Sequence, residues 1–469
     1  MNTDLEYLTI AEGAARLRSR DLSPVEWTRH LIARIGAHNP SLNAFVVVTA
    51  EHALDQAEKA EAEITAGKYR GPLHGVPFAL KDIYDTVGIA TTGQSKICAG
   101  RVPERDAATV RLLKDAGAVL LGKLTTHEFA YGGPSFDLPG PPARNPWDTD
   151  RFTGGSSSGS GAAVAAGLVP VAMGSCTGGS IRTPAAYCGL AGLKPTAGLV
   201  SRAGVLPLSY SLDTCGPMTW TVEDCALMLQ ALAVYDPEDA QSVETPIPDY
   251  RAALAGDIKG LRIGVVRHFW EVDKNTDPAV AAALDAAIGV LTKLGAEIED
   301  VTLSSLDDFA ACQWVIACAE ANAIHDDTLR HRREDYGENF RYRILPGAAL
   351  GAVDYVQALR LRRDLILEVD AVLDRFDVLF TATTPIPPPL MADENLVSIL
   401  ASRGITAAFN TTGGPALALC CGFTENGLPL SMTLGGKAFD DATVLRVGHA
   451  YEGASEWRQR RPNLKGGGS

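Results

Sequence analysis

The chain has 469 residues, 46% hydrophobic and 21% charged, with a formal net charge of −14. That acidity argues against nucleic acid or anionic membrane as general partners and leaves neutral or cationic small molecules unopposed. Nine cysteines, an odd number with Cys420 beside Cys421, indicate reduced buried thiols rather than a disulfide framework; with neither a signal-like N-terminus nor a bilayer-length apolar run, a cytoplasmic enzyme is expected.

In chain order, Ser23-Pro24-Val25-Glu26 predicts a helix with a serine cap and proline at its first position, and a second helix is expected near 50–66. Short apolar strands follow at 76–80 and 119–121, alternating with helices such as 107–116. This is the rhythm of a sheet covered on both faces. The acidic, proline-containing stretch 236–260 reads as a connector before a strand at 261–266. Helices are predicted at 278–294, 305–333 and 350–375, and a central strand at 377–381. No internal repeat is present. The terminal GGGS, 466–469, reads as an appended tail, leaving residues 1–465 as one domain with N-terminal helices over about 1–66.

Function is concentrated in two glycine- and serine-rich loops between 153 and 195, joined by the apolar run GAAVAAGLVPVAMG. That run is too apolar to flank a free linker. In Thr177-Gly178-Gly179-Ser180-Ile181-Arg182, small residues let backbone amides crowd toward one point, which suits an oxyanion, and Ser180 stands where an acyl-transfer nucleophile would. A serine hydroxyl needs a base. No histidine lies near, but the earlier loop offers Ser156, and Lys81 ends the apolar run of GVPFALKD. A lone lysine is ordinarily a solvated charge, so its assignment rests on the surrounding motif.

Those segments carry a broad resemblance to the amidase signature family: GPLHGVPFALKD, GKLTTHEFAYGG, ARNPWDTDRFTGGSSSGSGAAVAAG and GSIRTPAAYCGLAGLKPT, then SLDTCGPMTWTVEDCALML and the late FNTTGGPALALCCGFTENGLPL. Residues 60–235 resemble the family most closely, with a second island at 405–451. The spacings of 75 between Lys81 and Ser156 and 24 between Ser156 and Ser180 are also similar. The resemblance implies an α/β fold, an α/β/α sandwich around a mixed sheet of about eleven strands. It implies that Ser180 attacks an amide carbonyl to form an acyl-enzyme, and that Ser156, after a cis peptide bond with Gly155, bridges Ser180 to Lys81. Lys81 is then the neutral base, which requires its ordinary pKa near ~10.4 to be lowered. Backbone amides of Thr177, Gly178, Gly179 and Ser180 form the oxyanion hole, and no cofactor is called for.

Ser157, Ser158 and Ser160 read as scaffold hydroxyls, with Ser157 helping to hold the reactive pair, and Arg182 as an ion-pair partner fixing the loop. Cys176 departs from the family, which typically has an aspartate there; the thiol removes a charge-assisted acceptor for Arg182 or nearby amides. Cys176 as a catalytic cysteine is disfavoured, because Ser180 fills the nucleophile slot.

Three other motif readings fail. Gly155-Ser156-Ser157-Ser158-Gly159 matches G-x-S-x-G and nominates Ser157, yet a turn-like segment rather than a strand precedes it, and His449 lies in a helix-compatible stretch. Gly117 to Lys123 nearly matches a P-loop, but Leu124 occupies the magnesium-binding position. Neither H-E-x-x-H nor C-x-x-C occurs, so no metal is expected.

For substrate contact, Tyr131 is a candidate pocket wall because it lies in the matched half. The divergent stretches 300–350 and 385–405, with Trp314, Phe340, Tyr342 and the proline run 385–389, are expected to overhang the site, while each aromatic taken singly reads first as a core residue. The preferred substrate is a small aryl amide, ester or carbamate (urethane), cleaved without a macromolecular partner; a homodimer is left open. The alternative is an A-type glutaminase subunit of a tRNA-dependent amidotransferase, which needs a partner chain to accept ammonia.

Overall fold

The computed structural model describes residues 5–393 and 404–464. The tail 466–469 and the 394–403 part of the divergent 385–405 stretch lie outside the described residues.

Local signals set the N-terminal helices. Ser23 accepts from the amides of Val25 and Glu26 at 3.1 and 3.2 Å, capping the helix Pro24–Leu42, whose leading proline has no N–H to leave unsatisfied. The expected second helix spans Ala50–Thr65. An earlier one, Ile10–Ser19, was not foreseen; it is opened by a reciprocal capping box between Thr9 and Glu12. Trp27 is buried against Gly13 of that helix, and its indole N–H donates to the Leu5 carbonyl at 2.9 Å.

The centre is an eleven-stranded mixed sheet. In chain order its strands are β1 Phe45–Val48, β2 Pro77–Lys81, β3 Val119–Leu124, β4 Val171–Cys176, β5 Ala191–Lys194, β6 Thr214–Thr219, β7 Arg262–Val265, β8 Glu297–Asp300, β9 Val378–Ala382, β10 Ala416–Phe423 and β11 Pro429–Gly436. They lie side by side as β1-β3-β2-β4-β6-β5-β10-β11-β9-β7-β8. β2 runs parallel to β3 and β4, and β7 to β8 and β9; the other neighbours are antiparallel. The inner strands β2, β3, β4, β6, β9 and β11 are buried at every residue, as a sheet covered on both faces requires.

The alternation of side chains shows which helix covers which face. Gly435, opposite Ala416, backs onto Phe409 of the helix Ala407–Thr412, and Gly192, opposite Ala418, backs onto Ala185 of the helix Arg182–Cys188. Leu417 and Gly436 point the other way, onto Gly448 and Val444 of the helix Asp441–Gly453. Helices therefore cover both faces, the sandwich that the family resemblance implied.

β3 runs past the expected 121 to Leu124, so Gly122 and Lys123 are strand residues and not a phosphate loop. Lys123 Nζ donates to the Tyr84 carbonyl and Thr91 Oγ1, both at 2.6 Å. In the connector 236–260 the regular structure is one short turn, Ala252–Leu254.

Candidate active site

The site sits at the carboxyl ends of two parallel strands. Ala79 pairs with Ala172 and Leu80 with Met173, so β2 and β4 end at similar heights and Lys81 arrives beside Ser175. Lys81 Nζ donates to Ser156 Oγ at 2.7 Å and to Ser175 Oγ at 2.8 Å. Lys81 and Ser156 have no solvent exposure, and Ser175 has little.

Ser156 follows Gly155 through a cis peptide bond. Glycine is required at 155 by contact, since a Cβ there would lie 2.2 Å from the His127 ring. Ser157 starts the helix Ser158–Ala165; its hydroxyl accepts from the Ser175 amide at 3.2 Å and lies 3.3 Å from the Ser175 carbonyl, which it can donate to. It thus ties the loop to β4. Ser158 and Ser160 donate to the carbonyls of Thr125 and Met173 at 3.4 and 3.0 Å.

Ser180 joins the two loops through its carbonyl, which accepts from the Ser157 amide at 3.3 Å. With Thr177 and Gly178 it lines a chamber of about 530 Å³. No hydrogen bond links the hydroxyls of Ser156 and Ser180, so the bridge expected of Ser156 is closed on its Lys81 side and open on its Ser180 side. The loop itself is held from outside. Thr177 Oγ1 donates to Asp213 Oδ1 at 2.5 Å, and Thr406 Oγ1 donates to the Gly178 carbonyl at 2.7 Å. Gly179, at φ +127°, passes so close to Thr406 that a Cβ would lie 2.2 Å from its hydroxyl oxygen.

Cys176 and Arg182 are wholly buried beneath this loop. Arg182 Nη2 donates to Asn410 Oδ1 and, at 2.8 Å, to the Thr406 carbonyl, and lies 3.9 Å from Cys176 Sγ. Asn410 Nδ2 in turn donates to the Cys176 carbonyl at 3.2 Å. Burial opposes ionisation of the Cys176 thiol, but Arg182 beside it and the Ile181 amide outweigh that and hold its pKa below the ordinary value. Arg182 lies away from the chamber lining and meets Asn410 and the Thr406 carbonyl, with the Cys176 thiol beside it.

Tyr131 lines the chamber, its hydroxyl 3.1 Å from Cys318 Sγ, and Trp314 lines it too. Phe340 and Tyr342 do not. Phe340 turns into the core and stacks on Tyr336 with ring centroids 5.1 Å apart, while Tyr342, on the same short helix, is 68% exposed. The proline run is elsewhere as well: the Pro388 and Pro389 carbonyls accept from Arg151 and the Phe152 amide, each at 2.8 Å. Ser175, Asp213, Thr406, Asn410 and Arg343 were missed. Ser175 stands just ahead of the second glycine-rich loop, Asp213 and Asn410 lie inside the family-like segments SLDTCGPM and FNTTGGPAL, and Thr406 is at the edge of the second island, whereas Arg343 has no motif beside it.

Among the described residues, no group of histidine, cysteine and acidic side chains could hold a metal, and no helix is long and apolar enough to cross a membrane. All nine cysteines are free.

The Amidase family matches residues 26–445. Over 98% of this chain and 99% of the relative, the sequence is 41% identical to the A-type chain of the glutamyl-tRNA(Gln) amidotransferase of Chloroflexus aggregans. Among solved structures, a chain from a vestigial protein complex that reveals the evolutionary origins of an s-triazine catabolic enzyme superposes with a TM-score of 0.90 at 34% identity, covering 98% of this chain and 100% of that one. A bacterial aryl acylamidase of the amidase signature family gives 0.88 at 27% identity over 97% and 98% of the two chains. Matched through the sheet and both serine loops, this chain belongs to the amidase signature family of carbon–nitrogen bond hydrolases.

Proposed function

We propose that the chain hydrolyses a carboxamide through an acyl-enzyme on Ser180, with Ser156 as proton relay and Lys81 as base. The observation that carries this is the buried 2.7 Å contact of Lys81 Nζ with Ser156 Oγ, beside a nucleophile that opens onto the chamber. Ser180 Oγ bonds to the substrate carbonyl carbon, its proton passing through Ser156 to the Lys81 amine. The carbonyl oxygen becomes an oxyanion facing the amides of Thr177 to Ser180. The proton then returns through Ser156 to the leaving nitrogen as the C–N bond breaks, and water cleaves the ester on Ser180.

Two substrate assignments follow. Full-length similarity to A-type amidotransferase chains favours a glutaminase that passes ammonia to a partner protein. One observation favours a stand-alone hydrolase of larger amides, carbamates or esters: much of the chamber wall is apolar, from Ala130, Leu208, Ala310, Trp314, Ala317 and Ala407. Intact-mass spectrometry during turnover should show an acyl adduct on the wild type and none on Ser180→Ala, and full activity in that variant would sink the acyl-enzyme. Release of ammonia from glutamine, increased by amidotransferase partner proteins, supports the first assignment; release of amine from an anilide by the chain alone, without glutaminase activity, supports the second.

A further inference from the structure

We propose that Arg343 is the anion anchor of the chamber beside Ser180, and that the substrate is a carboxamide carrying a carboxylate. This rests on the reading of that chamber as the substrate site. Arg343 extends from the helix Glu338–Ile344 to line the same wall as Tyr131, its guanidinium carbon 5.4 Å from the centre of the tyrosine ring. Among the described residues it has no salt bridge and donates no hydrogen bond. Three other partly buried arginines are matched: Arg101 with Asp85 at 2.6 Å, Arg202 with Asp239 at 2.8 Å, and Arg362 with the Thr411 carbonyl at 2.8 Å. The chamber's acidic residue, Asp307, stands exposed with Lys274 Nζ 3.6 Å away. The site therefore presents one unmatched positive charge, although the whole chain carries −14.

A half-buried guanidinium without an acceptor has lost part of its hydration and received no ion pair in return. Burial accordingly pushes its pKa down, opposed only by the Tyr131 and Cys318 side chains. A carboxylate supplies the missing partner in the planar two-pronged geometry that guanidinium favours. Tyr131, fixed through its hydroxyl at Cys318, holds the cation by its ring face. The substrate class is an amide with one anionic end, of which glutamine is a member.

The test uses two matched amide pairs: glutaric mono-p-nitroanilide against valeric p-nitroanilide, and 4-acetamidobenzoate against acetanilide. The wild type should favour the carboxylate member of at least one pair by roughly tenfold in kcat/KM, the discrimination expected of a charged hydrogen bond. In Arg343→Leu that ratio should fall to about one, and Arg343→Lys should keep part of it. The same pairs titrated calorimetrically into Ser180→Ala, with and without Arg343→Leu, read discrimination apart from chemistry. Equal or inverted preference in both pairs, or a preference that survives Arg343→Leu, overturns the anchor. Should the leucine variant not fold, wild-type preference and Arg343→Gln decide by the same criteria. Anion discrimination in binding, together with turnover unaffected by Ser180→Ala, would instead strike the acyl-enzyme and leave the anchor standing.

Discussion

Lys81 Nζ lies 2.7 Å from Ser156 Oγ, with both side chains closed to solvent. In the proposed mechanism a proton moving between them is shielded from bulk water and is returned by the pair to the departing nitrogen. An amide nitrogen must be protonated to leave, whereas an activated ester needs little such help.

Replacement of Lys81 by alanine should therefore cut kcat/KM on an amide by about 10³-fold and on a matched p-nitrophenyl ester by about tenfold. Equal losses on both substrates, with a large fall in the unfolding midpoint, would return Lys81 to a structural part.

Ser175→Ala removes the second hydroxyl that meets Lys81, at 2.8 Å. As a positioning residue it should lower kcat by about tenfold with KM nearly unchanged, in line with one hydrogen bond of roughly 1 kcal/mol. Ser175→Thr, which keeps a hydroxyl, should recover part of the loss. If Ser175 only packs, the midpoint of unfolding falls and kcat stays where it was.

Gly179→Ala should be far more damaging than its size suggests. The residue is at φ +127° and its new methyl would lie 2.2 Å from Thr406 Oγ1. Backbone strain of this kind costs about 1–3 kcal/mol, and displacing the amide row should cost ~100-fold in kcat. Gly36→Ala is the control, with open space around it inside a helix, and should be neutral or stabilising by up to about 1 kcal/mol. Activity retained in Gly179→Ala would mean that the loop's backbone geometry is not critical.

Glu128 offers a test by pH. Burial pushes its pKa up from 4.5 to about 7, against the hydrogen bonds it accepts from Ser95 Oγ at 2.5 Å and the Gly337 amide at 2.9 Å. A carboxyl raised in the folded state binds a proton that the unfolded chain has released, so its contribution is complete below pH ~4.5 and is lost as pH rises through about 7. Glu128→Gln imitates the protonated form. Compared by urea unfolding from pH 4.5 to 8, the wild type should lose roughly 3 kcal/mol relative to that variant. A difference that stays constant with pH would show that Glu128 titrates normally.

Within the sequence, what could be read were features carried by neighbouring residues. The Ser23 cap fixed a helix start because its partners are two and three residues away. The two serine loops and the GVPFALKD lysine were legible because glycine, serine and lysine follow one another in an order that a broad family shares. Tyr131 was legible for the same reason. Tertiary structure decided everything that depends on which strands lie together. Ser175 meets Lys81 because β2 and β4 pair in parallel, a register that neither strand's apolar pattern contains. Phe340 and Tyr342 looked alike as candidate pocket aromatics, and a rotation along one short helix buried the first in the core and left the second in solvent. Arg343, one residue further, was carried to the chamber by the same helix. A side chain's neighbours across the fold are set by packing and register, and these are cooperative properties of the whole chain.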